Sequence, residues 1–263
     1  LLDGKKTSIE IKEEIKKTVS AIKLKGERVP HLAAVLVGND GASLTYVGNK
    51  VRSCEYVGFK STLIKLENNI SEIDLLKQIQ KLNSDNTLDG YIVQLPLPKH
   101  IDEEKILLAI DSKKDVDGFH PENFGRMSLE LDAFIPATPY GIIKLLERYK
   151  IPTDGKHCLV VGRSNIVGRP TSILMSQKGI SGNATVTLAH SRTKNLKKLT
   201  KKADIIIMAL GIPEFLTSDM VKDDVCVIDV GITRVVDKNN PKGYVIKGDV
   251  DFKEVSKKAG YIT

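Results

Sequence analysis

Val160-Val161-Gly162-Arg163-Ser164-Asn165-Ile166-Val167-Gly168-Arg169-Pro170 decides the fold. An apolar, β-branched run reaches a glycine, and a second glycine before a proline opens a helical stretch. A strand, a tight turn and a helix start bring backbone N–H groups to the positive helix end, where a pyrophosphate binds. The spacing departs from G-x-G-x-x-G: Ser164 stands at the second glycine and Gly168 comes one residue late. On the glycines alone, an ordinary structural strand–turn–helix fits equally well.

Outward from that segment the same grammar repeats. A helix is predicted from Thr138 to about Tyr149, with Pro139 in its opening position, and Pro152-Thr153-Asp154-Gly155 is a turn. His157–Val161 reads as a strand, Gly168–Lys178 as a helix, and Thr185–Leu188, Asp204–Ala209 and Val225–Val230 as strands. In the first half, Thr7 with Glu10 is positioned as a capping box for a helix carrying Ile11, Ile15, Val19 and Ile22. Leu32–Val37, Ser61–Leu66 and Asp89–Leu95 read as strands, Ala42–Val57 and Ser71–Leu82 as helices, with Gly58 closing the former. Strands alternating with helices imply parallel βαβ units. The expected architecture is α/β in two lobes: an N-terminal α/β substrate domain (1–137) and a Rossmann-like parallel-sheet dinucleotide domain (151–263). A helix over about 138–150 bridges them, and the cleft between them is the default substrate site.

Composition narrows the class. The chain has 263 residues, 41% hydrophobic and 28% charged, with net charge +7. Such a balance favours anionic partners, yet the lysines are spread through helical patterns such as Ile11–Lys25, which also holds Glu13 and Glu14, and Leu75–Lys81, as on solvated faces. Tryptophan is absent and aromatics make up 5%, which argues against base-stacking surfaces. Cys54, Cys158 and Cys226 match no metal-ligand spacing, so no metal is expected, and the latter two lie in apolar runs as core thiols. The opening Leu1-Leu2-Asp3-Gly4-Lys5-Lys6 leads into no apolar signal region, and no stretch of about 18 apolar residues exists. A soluble, cytoplasmic protein is expected.

The second βα unit selects the nucleotide. NAD-specific folds carry an acid about 20 residues beyond the glycine turn to hold the ribose hydroxyls. Here no Asp or Glu occurs from Arg163 through Ala203, and the strand ends at His190-Ser191-Arg192-Thr193. Guanidinium and hydroxyl groups suit a 2′-phosphate that a carboxylate would repel, so Arg163, Ser191 and Arg192 are candidate contacts and NADP is favoured. Two more strands break at glycines, Leu210-Gly211-Ile212-Pro213 and Val230-Gly231-Ile232-Thr233, at the sheet edge where such folds bind ligands.

Candidate catalytic groups lie in the first half. Tyr46 and Lys50 are one helical turn apart, so their polar ends share a face, and partial burial would bring the lysine toward neutrality as an acid/base. The same pair also occurs as a plain surface contact. Gln94 ends an apolar strand before Pro96-Leu97-Pro98 and needs a partner there. Asp117, in the loop Lys113–Pro121, is either a turn residue or an acceptor for paired N–H groups of a planar ring edge.

Taken in order, Tyr46-Val47-x-x-Lys50, Val93-Gln94-Leu95-Pro96-Leu97-Pro98, Lys114-Asp115-Val116-Asp117-Gly118-Phe119-His120-Pro121, Gly125-Arg126, the Gly162–Pro170 segment, Asp229-Val230-Gly231-Ile232 and Gly248-Asp249-Val250-Asp251 resemble a known set. They are similar, over essentially the whole chain, to the bifunctional methylenetetrahydrofolate dehydrogenase/methenyltetrahydrofolate cyclohydrolase family. The resemblance implies NADP-dependent oxidation of 5,10-methylenetetrahydrofolate and hydrolysis of the methenyl product to 10-formyltetrahydrofolate. It further implies Lys50 as the acid/base of hydrolysis, Tyr46 orienting the folate, Gln94 positioning Lys50, and Asp117 holding the pterin edge. Gly162, Arg163, Ser164, Ser191 and Ile232 would line the NADP site, and the enzyme would be a homodimer. Three departures stand out. Ala137 replaces the family's usual cysteine in Pro-Cys-Thr-Pro, Arg52 replaces a frequent lysine, and the sequence stops at Tyr261-Ile262-Thr263 where the family usually continues. A shikimate-dehydrogenase-like oxidoreductase and a nucleic-acid-binding protein are the rivals. Neither needs Gln94 or the Asp115/Asp117 loop.

Overall fold

The computed structural model describes residues 1–241 and 243–263. The chain divides into two compact units, residues 5–135 and residues 136–263 joined by 1–4.

The N-terminal unit runs α1 (Gly4–Leu24), β1 (His31–Val37), α2 (Gly41–Val57), β2 (Lys60–Leu66), α3 (Glu72–Ser84), β3 (Gly90–Val93), α4 (Glu103–Ala109) and α5 (Pro121–Ser128). Its three strands form a parallel sheet in the order β2-β1-β3. The uninterrupted apolar run of β1 follows from burial on both faces. Ala33, Val35 and Val37 enter one core with Leu75 and Ile79 of α3, while Ala34 and Leu36 enter another with Val47 of α2 and Ile92. Each fully buried large aliphatic side chain contributes roughly 1.5–3 kcal/mol. Helix ends follow the sequence closely: Asp40 caps α2 by accepting from Ser43 N at 2.8 Å, and Gly58 closes it at φ +89°. The capping box expected at Thr7 is not one. The helix already begins at Gly4, so Thr7 lies within it, buried. Amphipathic periodicity set that helix, and a local cap motif inside it had no free N–H groups to satisfy.

The C-terminal unit continues with α6 (Ala137–Arg148), β4 (His157–Val161), α7 (Gly168–Ser176), β5 (Thr185–Ala189), α8 (Leu196–Thr200), β6 (Ile205–Met208), β7 (Cys226–Asp229), β8 (Thr233–Val236), β9 (Tyr244–Lys247), α9 (Phe252–Val255) and β10 (Tyr261–Ile262). Its main sheet is five-stranded and parallel, ordered β10-β7-β6-β4-β5, as the Rossmann-like reading requires. The strands β4 and β6 again alternate between two covered faces: Cys158, Val160, Ile205 and Ile207 on one, Leu159, Val161, Ile206 and Met208 on the other. Burial pushes the thiols of Cys158 and Cys226 up to about 12, so both behave as core groups. Helix α6 packs Ile142, Leu145 and Leu146 into the first of these cores, and Pro139 is its third residue rather than its first. Its missing N–H still falls among the unpaired donors of the first turn. The antiparallel hairpin β8–β9 had no clear sequence signal, because Asp237–Gly243 reads only as a polar loop.

Candidate active and dinucleotide sites

In the N-terminal unit, α2 and the C-terminal half of the loop before α5 meet over the sheet. A cavity of about 450 Å³ there is lined by Tyr46, Lys50, Cys54, Ser61, Ile92 and Asp117, among others. Tyr46, Lys50 and Cys54 fall on one stripe of α2 by helical spacing. Lys50 Nζ lies 3.8 Å from Asp117 Oδ1, with side chains 44% and 20% exposed. The partner of the lysine is therefore this carboxylate, and not the neighbouring tyrosine expected to meet it. Tyr46 is itself 47% exposed at the cavity, with its ring available to a flat ligand. Burial pushes the Asp117 carboxyl above its ordinary value, and the Lys50 ammonium pulls it partly back.

Two acids two residues apart have different jobs. Asp115 is buried, and its Oδ2 accepts from His120 N at 2.8 Å and Asn123 Nδ2 at 3.0 Å. It also pairs alongside Tyr91, so the loop is strapped to β3. Lys114 adds a second strap, donating to the carbonyls of Leu82 and Asp85 at the end of α3. Gly118, at φ +69°, then turns the chain so that Asp117 faces the cavity.

Gln94 follows β3, with its N–H donated to Val35 O. Its Nε2 donates to Leu95 O at 2.7 Å. Its Oε1 is buried and accepts no hydrogen bond, the single such side-chain atom among the described residues. An unmade bond of this kind costs about 1–3 kcal/mol, and cost of this type concentrates at working sites. Ile92, two residues earlier, lines the cavity; Gln94 itself is not among the groups that the structure places around Lys50. Cys54 and Ser61 at the cavity wall were missed from sequence. The signal for Cys54 was present, one turn beyond Lys50.

In the C-terminal unit the glycine turn is close-packed. A Cβ on Gly162 (φ +124°) would sit 2.2 Å from Ala209 O, and one on Gly168 would sit 1.9 Å from Gly162 O. Only glycine admits this approach of turn, helix start and neighbouring strand. Ser164, the departure from the usual glycine pattern, has its own function: its Oγ accepts from Val167 N and Gly168 N at 3.2 and 3.3 Å. That hydroxyl serves amides at the helix start, as a cap does. Arg163 and Ser164 are exposed. At the end of the adjacent β5, Ser191 and Arg192 are exposed on a turn held by Thr193 Oγ1, which accepts from His190 N, and by His190 Nδ1, which accepts from Arg192 N. The guanidinium groups of Arg163 and Arg192 pair with no carboxylate among the described residues. Ile232, 64% exposed, stands beyond β7. The three loops carrying these residues leave the C-terminal ends of parallel strands, the edge where dinucleotides bind. The glycine cradle, helix start and uncompensated cations suit a phosphorylated dinucleotide.

Comparison with known proteins identifies both units. Residues 2–117 match the model of the tetrahydrofolate dehydrogenase/cyclohydrolase catalytic domain, and residues 136–263 match that of its NAD(P)-binding domain. The bifunctional protein FolD of Flavobacterium johnsoniae is 70% identical over all 263 residues, which cover 89% of that relative. The crystal structure of the bifunctional dehydrogenase/cyclohydrolase FolD from Campylobacter jejuni is 48% identical, with TM-score 0.92 over 100% of this chain and 89% of its own. The enzyme from Trypanosoma brucei, solved with NADP cofactor and an inhibitor, is 32% identical with TM-score 0.93 over 99% of this chain and 88% of its own. Two domain models in series, and full-length relatives well beyond chance identity, place the chain in the tetrahydrofolate dehydrogenase/cyclohydrolase family.

Proposed function

We propose that the cavity of the N-terminal unit holds the folate and performs the hydrolytic step, while the edge of the C-terminal sheet holds NADP. The chain is an enzyme of one-carbon folate interconversion. It oxidises 5,10-methylenetetrahydrofolate with NADP+ and hydrolyses the resulting 5,10-methenyl compound to 10-formyltetrahydrofolate. The observation that carries the placement is the Lys50–Asp117 pair, an ammonium and a partly buried carboxylate facing one cavity with an exposed tyrosine ring.

In hydrolysis, water adds to the methenyl carbon and the bond from that carbon to ring nitrogen N5 breaks. Lys50, acting in its amine form, takes one proton of the attacking water and passes it to the departing N5. The other leaves to solvent as the carbinol oxygen becomes the formyl carbonyl, so the lysine ends as it began and one proton is released. Asp117 receives the paired N–H groups of the pterin edge, and its charge keeps the lysine in place. Tyr46 orients the ring system; the role of Gln94 in positioning the lysine rests on family resemblance and on its unused acceptor. In oxidation, bound NADP+ supplies the hydride acceptor. The folate nitrogen lone pair supports the developing cation, so the residues here orient and exclude water and no catalytic base is required. Gly162, Ser164 and Ile232 border the dinucleotide; Arg163, Ser191 and Arg192 hold its 2′-phosphate.

The reading extends to a homodimer in the cytoplasm, binding neither nucleic acid nor membrane. Family resemblance supports the dimer, and no helix of the described residues is long and apolar enough to cross a membrane. Sedimentation of the purified chain tests the dimer. The function is tested by incubating the chain with methylenetetrahydrofolate and either NADP+ or NAD+, while following NADPH and methenyl absorbance. NADPH formation followed by methenyl decay is expected. Reduction of nucleotide only with a hydroxy acid, or nucleic-acid binding that outcompetes NADP+ at physiological salt, would remove the proposal.

A further inference from the structure

Two carboxylates in the C-terminal unit take no part in the chemistry above, yet they are the most heavily engaged acids there. Asp249 is fully buried. Its Oδ2 accepts from Leu210 N at 2.6 Å and Gly211 N at 3.0 Å, and its Oδ1 from Ile212 N at 2.8 Å. Asp229, at the end of β7, accepts from Gly231 N and Asp249 N through Oδ1, both at 2.9 Å, and from Val250 N through Oδ2 at 3.0 Å. Six backbone N–H groups from three segments thus end on two side chains.

The two are interlocked by glycine. A Cβ on Gly231 would fall 2.4 Å from Asp249 Oδ1, and one on Gly248 would fall 1.9 Å from Asp229 Oδ2. Each carboxylate occupies the space that the other's neighbouring residue leaves by having no side chain. The strip 248–251 is itself tied down: Glu214 N donates to Gly248 O, Leu216 N to Asp249 O, and Asp251 N to Leu216 O. The loops so fixed follow β6 and β7 and carry Ile212 and Ile232, apolar side chains left 49% and 64% exposed. The first loop starts at Ala209, whose carbonyl is the atom against which Gly162 packs. An exposed isoleucine on each of two rigidly held loops, beside the glycine turn, is a way to flank a flat ligand ring.

We infer that Asp229 and Asp249 are positioning residues for the dinucleotide, clamping the loops after β6 and β7 at the spacing that NADP requires. The inference rests on the assignment of this unit to NADP. A buried carboxylate is costly unless it is hydrogen-bonded, and the bonds to Asp249 come from the loop after β6 at the ligand edge.

The bifunctional chemistry supplies an internal control, because hydrolysis of the methenyl compound can be measured with no nucleotide present. Asp249→Asn puts an amide donor against backbone donors. It is expected to weaken the Kd of NADP+ about tenfold or more, equally for NADP+ and NAD+, while the hydrolysis rate stays within about twofold. Gly231→Ala keeps every charge and drives a methyl against the Asp249 carboxylate and backbone N, and the same pattern is expected. It decides the matter should the asparagine variant fail to fold. Unchanged nucleotide affinity in a folded variant, or loss of hydrolysis in step with loss of binding, would overturn the inference. A wild-type chain that binds no NADP+ would instead bring down the functional assignment, and the inference with it.

Discussion

The acids of the two units make an instructive contrast. In the N-terminal unit Asp115 and Asp117 share a loop and divide the labour: one is saturated by protein donors, the other faces a cavity with a lysine 3.8 Å away. In the C-terminal unit Asp229 and Asp249 are both saturated by backbone N–H groups, and it is the cations Arg163 and Arg192 that stay uncompensated and exposed. A charged group whose hydrogen bonds are all made within the fold builds a site; one left short of partners is what the site offers its ligand. The N-terminal unit leaves short a lysine, a carboxylate and an amide oxygen, which suits proton movement on a polar ring. At the strand ends of the C-terminal unit the groups left short are the cations Arg163 and Arg192, which suits phosphate.

The largest effect expected from this contrast is at Lys50. Lys50→Met should slow methenyl hydrolysis about 10²- to 10⁴-fold, the usual worth of a positioned acid/base. The Kd of NADP+ should move by less than about twofold, since the residue belongs to the other unit. Methenyl decay at the wild-type rate would remove Lys50 from the chemistry. The converse change is Gly168→Ala, whose new methyl would overlap Gly162 O. Overpacking against backbone costs about 1–3 kcal/mol, so NADP+ affinity should drop by about 10- to 100-fold with nucleotide-free hydrolysis preserved. A titration showing unaltered affinity would mean that the close-packed turn does not matter for binding. A finer test lies at Ser191→Asp, where a carboxylate would meet the 2′-phosphate. NADP+ should weaken about tenfold more than NAD+, and equal losses for the two would move the 2′-phosphate elsewhere.

How much of this was legible in sequence follows from the same division. Every strand of the two parallel sheets except β10 was readable. Burial on both faces turns the central ones into unbroken apolar runs bounded by turn residues, as in His31–Val37 and Ile205–Met208, while Lys60–Leu66 has no buried residue and lacks such a run. The hairpin β8–β9 was not, since alternating exposure leaves Thr233–Val236 with no such run. The helix start at Thr7 misled for a related reason: capping motifs are local, and the position of a helix end is settled by packing. At the sites, the residue types and order suggested Lys50, Gln94 and Asp117, but not that Lys50 would face Asp117 rather than Tyr46. That pairing spans 67 positions and depends on the straps made by Lys114 and Asp115. Likewise the glycine pattern pointed to the turn at Gly162, whereas the reciprocal packing of Gly231 with Asp249 could be seen only once the loops were side by side.

The smallest expected effect sharpens the contrast most, because it has the opposite sign to a loss of function. Burial holds the Asp117 carboxyl above its unfolded value of about 3.9. Between those two values the folded chain binds more protons than the unfolded one, so stability contributed by this group falls as pH rises, and above the folded value the full cost of the charge remains. Asp117→Asn removes that cost. Its former partner Lys50 is 44% exposed and keeps enough water to lose little. At pH 7 the variant should therefore unfold at a temperature equal to the wild type or higher, by roughly 1–4 °C, while its KM for folate rises. The gain should shrink as pH is lowered through the raised folded value into the ordinary carboxylate range, where the wild-type carboxyl takes up its proton. Paired thermal scans across that range decide it: a saturated, structural aspartate such as Asp115 should show destabilisation at every pH, and the same result at Asp117 would put it in the scaffold rather than in the site.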